Sequence, residues 1–213
     1  TSAVYQTPVT LSPSRISNFR TCPLQFRFAS IEKLPQPPQI HLVKGNFVHR
    51  VLELLLGHES EHRTVEAARK AFDETRAEYE PSARFTALGL SPDASEAFFK
   101  DSRELVNGYY RMENPRNAKI IGLELRIDSD FGKFKLGGII DRLEYNEKNE
   151  LVVSDYKTGK VPDARFGANK MDNMHIYASL CLRERGELPK RLRLMYLKSS
   201  TPIEVEVTPD SNA

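Results

Sequence analysis

The chain has 213 residues, 39 % hydrophobic and 28 % charged, with 13 Pro, 11 Gly, 8 Tyr, 11 Phe and no Trp. That composition excludes collagen-like, low-complexity and disordered classes for its bulk. The length suits one large domain burying roughly 70 % of its unfolded surface, and a formal charge of +2 leaves any nucleic-acid affinity to local patches.

No window approaches 18 apolar residues, so no membrane span is expected. The opening TSAVYQTPVTLSPSR has no basic segment followed by an apolar run, so it does not read as a secretory leader. Cys22 and Cys181 are far apart and neither belongs to a CxxC. Two reduced thiols and a cytoplasmic setting are expected, not a disulfide scaffold.

In chain order, LSPSRISNF starts a helix with Ser12 as N-cap and Pro13 at the first helical position. Pro23 interrupts it, and PLQFRFAS is a second short helical piece. LPQPPQ (34–39) is an extended connector. Between Leu42 and Leu56, Val43, Phe47, Val48, Val51, Leu52, Leu55 and Leu56 fall at helical spacing, and Gly57 stops the helix. Two more helices are expected at about 64–80 and 92–112, the latter opened by Ser91–Pro92.

The period then changes. IIGLELRID (120–128), FKLGGIIDRLEY (134–145) and LVVSDYK (151–157) read as strands joined by FGKF and NEKNE. Residues 170–185 form a helix, and RLRLMYL (191–197) and IEVEV (203–207) are strands around KSSTP. The order β-β-β-α-β-β contains one crossover unit. The reading is a single α/β domain over 1–213, with a helical region (11–112) packed on a strand-rich core (118–208).

Asp141 sits late in one apolar strand; Asp155 and Lys157 sit late in the next. Alternation puts Asp155 and Lys157 on one face and Tyr156 on the other. If the strands are antiparallel neighbours, Asp141 approaches Asp155, and two such carboxylates call for a divalent cation, Mg²⁺ or Mn²⁺. A lysine beside it suits orienting water and stabilising charge on a phosphate. A strand-end salt bridge accounts for the same residues without chemistry.

Four segments in order, SPSRISNFRTCPLQFRF, KGNFVHRVLE, GGIIDRLE and VVSDYKTGK, resemble the RecB-type branch of the PD-(D/E)XK nuclease superfamily over about residues 11–197. The resemblance implies a restriction-endonuclease-like mixed-sheet core and metal-dependent DNA cleavage. It implies His49, Asp141 and Asp155 as metal ligands, Lys157 as the catalytic lysine and the Tyr156 carbonyl as a backbone ligand. It also favours exonucleolytic action on ends or single strands, in repair or recombination.

Two departures stand out. NMHIY puts Asn173 where the family carries Gln four residues before its Tyr, here Tyr177. Some relatives hold an iron–sulfur cluster through one early and three late cysteines, but this chain has only Cys22 and Cys181. No cluster is expected, and Cys22 reads as a small buried hydrophobe.

Apart from the resemblance, His49 is equally a surface partner of Glu53 one turn on, and Glu124 is a third acid able to face inward. Arg15, Arg20 and Arg27 interleave with Phe19, Phe26 and Phe28, a pattern suited to single strands. Arg183, Arg185, Lys190, Arg191, Arg193 and Lys198 form a second basic cluster, suited to a phosphate backbone or to a helix end. His58–Glu59–Ser60–Glu61–His62 satisfies the HExxH zinc-peptidase pattern. It follows a helix-stopping glycine and has no apolar face, so it reads as a solvated linker. The remaining alternative is an inactive nuclease fold that only binds nucleic acid.

Overall fold

The computed structural model describes residues 8, 10–162 and 164–208, with the backbone alone over 164–170. Residues 1–7, part of the opening read above for a leader, lie outside the described residues. Serines set the first helix entries. Ser12 accepts from the Arg15 N–H at the start of α1 (Pro13–Thr21), and Pro13 needs no N–H there. Cys22 is not the buried hydrophobe expected. Half-exposed, its Sγ caps α2 (Pro23–Phe26), which runs on into a π-helical turn, Arg27–Ile31.

The apolar stripe predicted on 42–56 forms α3 (Ile40–Leu56) and is wholly buried, at about 1.5–3 kcal/mol of gross transfer energy per side chain. Gly57 ends it in right-handed geometry, so the stop comes from the turn that follows. Then come α4 (Val65–Tyr79), a short unforeseen α5 (Ala83–Thr86) and α6 (Pro92–Met112). Gly108 lets α6 approach closely, since a Cβ there would lie 2.0 Å from the Leu197 carbonyl oxygen. Among the described residues no helix is long and apolar enough to cross a membrane.

The sheet is mixed. A two-residue β1 (Thr10–Leu11), invisible to periodicity, precedes β2 (Lys119–Asp130), β3 (Lys135–Tyr145), β4 (Leu151–Lys157), β5 (Arg191–Tyr196) and β6 (Thr201–Glu206). β2 runs antiparallel along all of β3. On its other side β3 is shared: β4 pairs only with Arg142–Tyr145, and β1 only with Lys135–Leu136. β3 and β4 thus part just before Arg142. The helix α7 (Ala164–Arg185), six residues longer at its start than periodicity suggested, links the parallel strands β4 and β5.

Alternation along β4 sorts two cores. Leu151 and Val153 pack with Met174, Ala178 and Cys181 of α7. Tyr156 and Met195 pack with α3, α4 and α6 around Phe47. Phe47 is ringed edge-on by Phe72, Tyr79, Phe98 and Phe99 at 5.1–5.9 Å. This helical core fixes α3, and with it the position of His49.

Candidate active site

Where β3 and β4 part, four elements converge. From α3, the His49 imidazole places Nε2 3.0 Å from the Tyr156 carbonyl oxygen and Nδ1 3.5 Å from both Glu124 Oε1 and Asp141 Oδ2. The Tyr156 N–H donates to Asp141 Oδ2 at 2.7 Å. One peptide residue therefore touches both side chains. Glu53 does not pair with His49; it accepts from Arg50 at 2.8 Å, which removes the surface-pair reading.

Glu124 reaches the cluster through an unusual backbone. Its φ is +44°, the left-handed region that non-glycine residues occupy at a cost of about 1–2 kcal/mol. Its neighbours Leu123 and Leu125 pair with Arg142 and Ile140, so Glu124 stands opposite Asp141. Ligand atoms of His49, Glu124 and Asp141 all lie within 4.8 Å of one another. One imidazole and two carboxylates at that spacing suit a small divalent cation with a preference for oxygen.

The electrostatics agree. Burial pushes the Asp141 carboxyl up to about 7, and the nearby Asp155 charge adds to it. Burial works against the His49 imidazolium, yet Glu124, Asp141 and Asp155 outweigh it and raise its pKa to about 9. The cluster retains a proton where the acids converge, which is the demand a cation would meet.

Asp155 and Lys157 share the α7 face as alternation requires, with Lys157 Nζ 2.5 Å from Asp155 Oδ2. The strand-end salt bridge is therefore real and sits beside the cluster. Burial opposes the lysine charge, but Asp155 more than offsets it, so the ammonium holds its proton above the ordinary range. Asn173 and Tyr177 of α7 and Ser14, Ser17 and Asn18 of α1 complete a cleft of about 310 Å³ over Asp155 and Lys157. Gly138 makes room for the phenol, since a Cβ there would lie 2.8 Å from Tyr177 Oη. The α1 residues escaped the sequence reading because small polar side chains in a capped helix carry no periodic signal.

The basic candidates are not all drawn in. Arg15 donates to the Thr10 carbonyl at 2.8 Å, and Arg20 forms an exposed pair with Asp172 of α7 at 3.5 Å. Both lie on the helix that walls the cleft. Arg191 and Arg193 point to the opposite face. Arg191 pairs with Glu150 and Glu204, and Arg193 with Glu113, Glu144 and Glu204. They line a larger cleft of about 490 Å³ in which glutamates offset the basic side chains. Lys190 is an exposed residue immediately before β5. In HESEH, Ser60–His62 is a 3₁₀ turn held by Arg63, which donates to the His58 carbonyl, and no metal-like cluster of the described residues includes either histidine.

A model of the PD-(D/E)XK nuclease superfamily matches residues 10–211. Among solved structures, a crystal structure titled "Putative exonuclease" from Eubacterium rectale aligns with TM-score 0.60 at 11 % identity, over 96 % of this chain and 74 % of that one. At such identity the likeness concerns the fold. The crystal structure of SSO0001 aligns at 16 % identity over 78 % of this chain and 76 % of that one, with TM-score 0.37, too low to carry an argument. A search of curated proteins finds no match. The matched region includes His49, Glu124, Asp141, Asp155 and Lys157 together with every element that positions them, and the chain belongs to the PD-(D/E)XK nuclease superfamily.

Proposed function

We propose that this phosphodiester hydrolase is a RecB-type DNA exonuclease acting on ends or single strands, in repair or recombination. The helical region that carries His49 and the strand-rich core would work as one catalytic unit. The observation that carries the reading is the meeting of His49, Asp141, Asp155 and Lys157 from three elements at the fork between β3 and β4.

The donor set fits Mg²⁺ or Mn²⁺, held by His49 and Asp141 with Asp155 and Glu124 at hand. Bound there, a divalent cation neutralises charge on phosphate oxygens and lowers the pKa of water. The chain supplies the rest. The Tyr156 N–H fixes the Asp141 carboxylate, and its carbonyl fixes the His49 ring. Lys157 holds a positive charge at Nζ on the floor of the cleft, where it would face a phosphate and steady developing negative charge. Asn173 and Tyr177 on one side and Ser14, Ser17 and Asn18 on the other would orient the strand. The wall formed by α1 favours a substrate with a free end.

The test is digestion of an end-labelled linear single strand beside a circular single strand, with Mg²⁺, Mn²⁺ or EDTA. Metal-dependent loss of the linear strand alone supports the reading. Equal cutting of the circle overturns the exonuclease assignment. Metal-independent binding without cutting supports the inactive-module alternative.

A further inference from the structure

We propose that Arg142, buried behind the sheet, is a positioning residue for the candidate site and acts through Tyr156. The proposal rests on the nuclease reading above.

Alternation sends Asp141 and Asp155 to one face of the sheet and Arg142 and Tyr156 to the other. The Arg142 side chain is wholly enclosed. Its guanidinium donates to both oxygens of Glu113, at 2.5 and 3.1 Å, to Glu144 Oε1 at 2.8 Å and to the Tyr109 hydroxyl at 3.1 Å. Arg193 braces the same acids, 3.0 Å from Glu113 and 3.7 Å from Glu144. Enclosing this many charges carries a large desolvation penalty, and apolar residues of similar volume would hold a sheet to a helix as well. What the ionic arrangement adds is a fixed geometry between β3, β5 and the end of α6.

That geometry bears on one neighbour. The Tyr156 ring is buried against the guanidinium, 5.7 Å from it, and edge-on to Tyr109 at 6.0 Å. The backbone of this residue makes the two contacts that orient His49 and Asp141. Arg142 also follows Asp141 directly, so displacement of its side chain is felt at both strands. A shift of β4 by about 1 Å away from β3 and α3 would take both backbone contacts out of hydrogen-bonding range. Glu113 is the residue that immediately follows α6, and its backbone N–H bonds back to the Tyr109 carbonyl, so it ties this arrangement to the end of that helix.

The test uses Arg142→Lys, because lysine keeps the charge but cannot form the two-pronged bond to Glu113. Glu150→Gln is the control: it removes an ion pair to Arg191 on the same face and touches neither Arg142 nor Tyr156. Each protein is assayed for thermal melting, for Mn²⁺ affinity by calorimetry, and for kcat and KM on a labelled oligonucleotide. Arg142→Lys should melt cooperatively, bind Mn²⁺ about tenfold more weakly and lose tenfold or more in kcat, the range seen for residues that orient ligands. KM for the oligonucleotide should stay unchanged. A lower melting temperature with parental Mn²⁺ affinity and kcat would overturn the proposal, leaving Arg142 a purely structural residue. Should Arg142→Lys fail to fold, Glu113→Gln decides by the same readouts. A parent that neither takes up Mn²⁺ nor cleaves refutes the nuclease reading itself, a result distinct from a parent that does both while the variants match it.

Discussion

Glu124 offers a test in which backbone and charge can be separated. At φ +44° a Cβ is strained by about 1–2 kcal/mol, a strain that glycine does not feel. Glycine in turn gives up more chain entropy on folding, roughly 0.5–1 kcal/mol relative to alanine. In an ordinary strand position Glu→Gly is therefore worse than Glu→Ala. Here the order should reverse, with Glu124→Gly more stable than Glu124→Ala by up to about 1.5 kcal/mol. Glu124→Gln keeps the strain and the shape but removes the carboxylate that holds the His49 imidazolium, so in EDTA at neutral pH it should be less stable than the parent. The assay is urea unfolding of all four proteins in EDTA, with a common slope checked first. Mn²⁺ calorimetry follows, where all three variants should bind more weakly than the parent. Glu124→Gly less stable than Glu124→Ala would show that position 124 carries no strain. Parental Mn²⁺ affinity in Glu124→Gln would remove the carboxylate from the candidate site.

Asp155→Asn and Lys157→Ala should each lower cleavage on the order of 10³-fold or more while unfolding cooperatively, and full activity in either purified variant would sink the assignment. In EDTA the protein should lose stability as pH rises. His49, raised to about 9 from 6.5, contributes fully below 6.5 and loses its contribution through 9, while ionisation of Asp141 between about 4 and 7 acts in the same direction. Urea unfolding at pH 6 and pH 9.5 should show that slope in the parent and a shallower one in His49→Gln; equal slopes would refute the proton-sharing cluster. Phe47→Ala opens a hole among four rings and should cost about 3–5 kcal/mol by denaturation, and a loss below 1 kcal/mol would contradict the packing. Arg191→Gln with Arg193→Gln should leave the slope of log affinity against log salt for a DNA strand unchanged, because both cations are neutralised on the far face. A drop of about one unit per residue would place DNA there.

What the sequence could and could not tell follows from the range of each interaction. The stripe on α3, the Ser12 and Ser91 caps and the alternation of β4 are local, so they were readable and hold in the structure. Asp141 facing Asp155 across antiparallel strands needed only register. β1 was missed because two residues carry no period and gain meaning only beside β3. The cations at 191 and 193 look like a patch because charge along the chain is visible, whereas their partners Glu113 and Glu204 come from other elements. The role of Cys22 is hidden for the same reason, since a thiol serving as a helix cap leaves no mark in composition. Glu124 was legible as an acid on the correct strand, but its left-handed backbone was not.

The sharing of β3 between β4 and β1 has a consequence for the order of assembly. The contact between His49 and Tyr156 spans 107 positions, and that between Arg20 and Asp172 spans 152. Contacts of such sequence separation close late, because the loop entropy is lost before they return anything. During synthesis the segment holding α1 leaves the ribosome long before β3, β4 or α7 exists to receive it. The cleft cannot form until α7 has emerged, so the candidate site stays incomplete on the nascent chain by reason of its own topology.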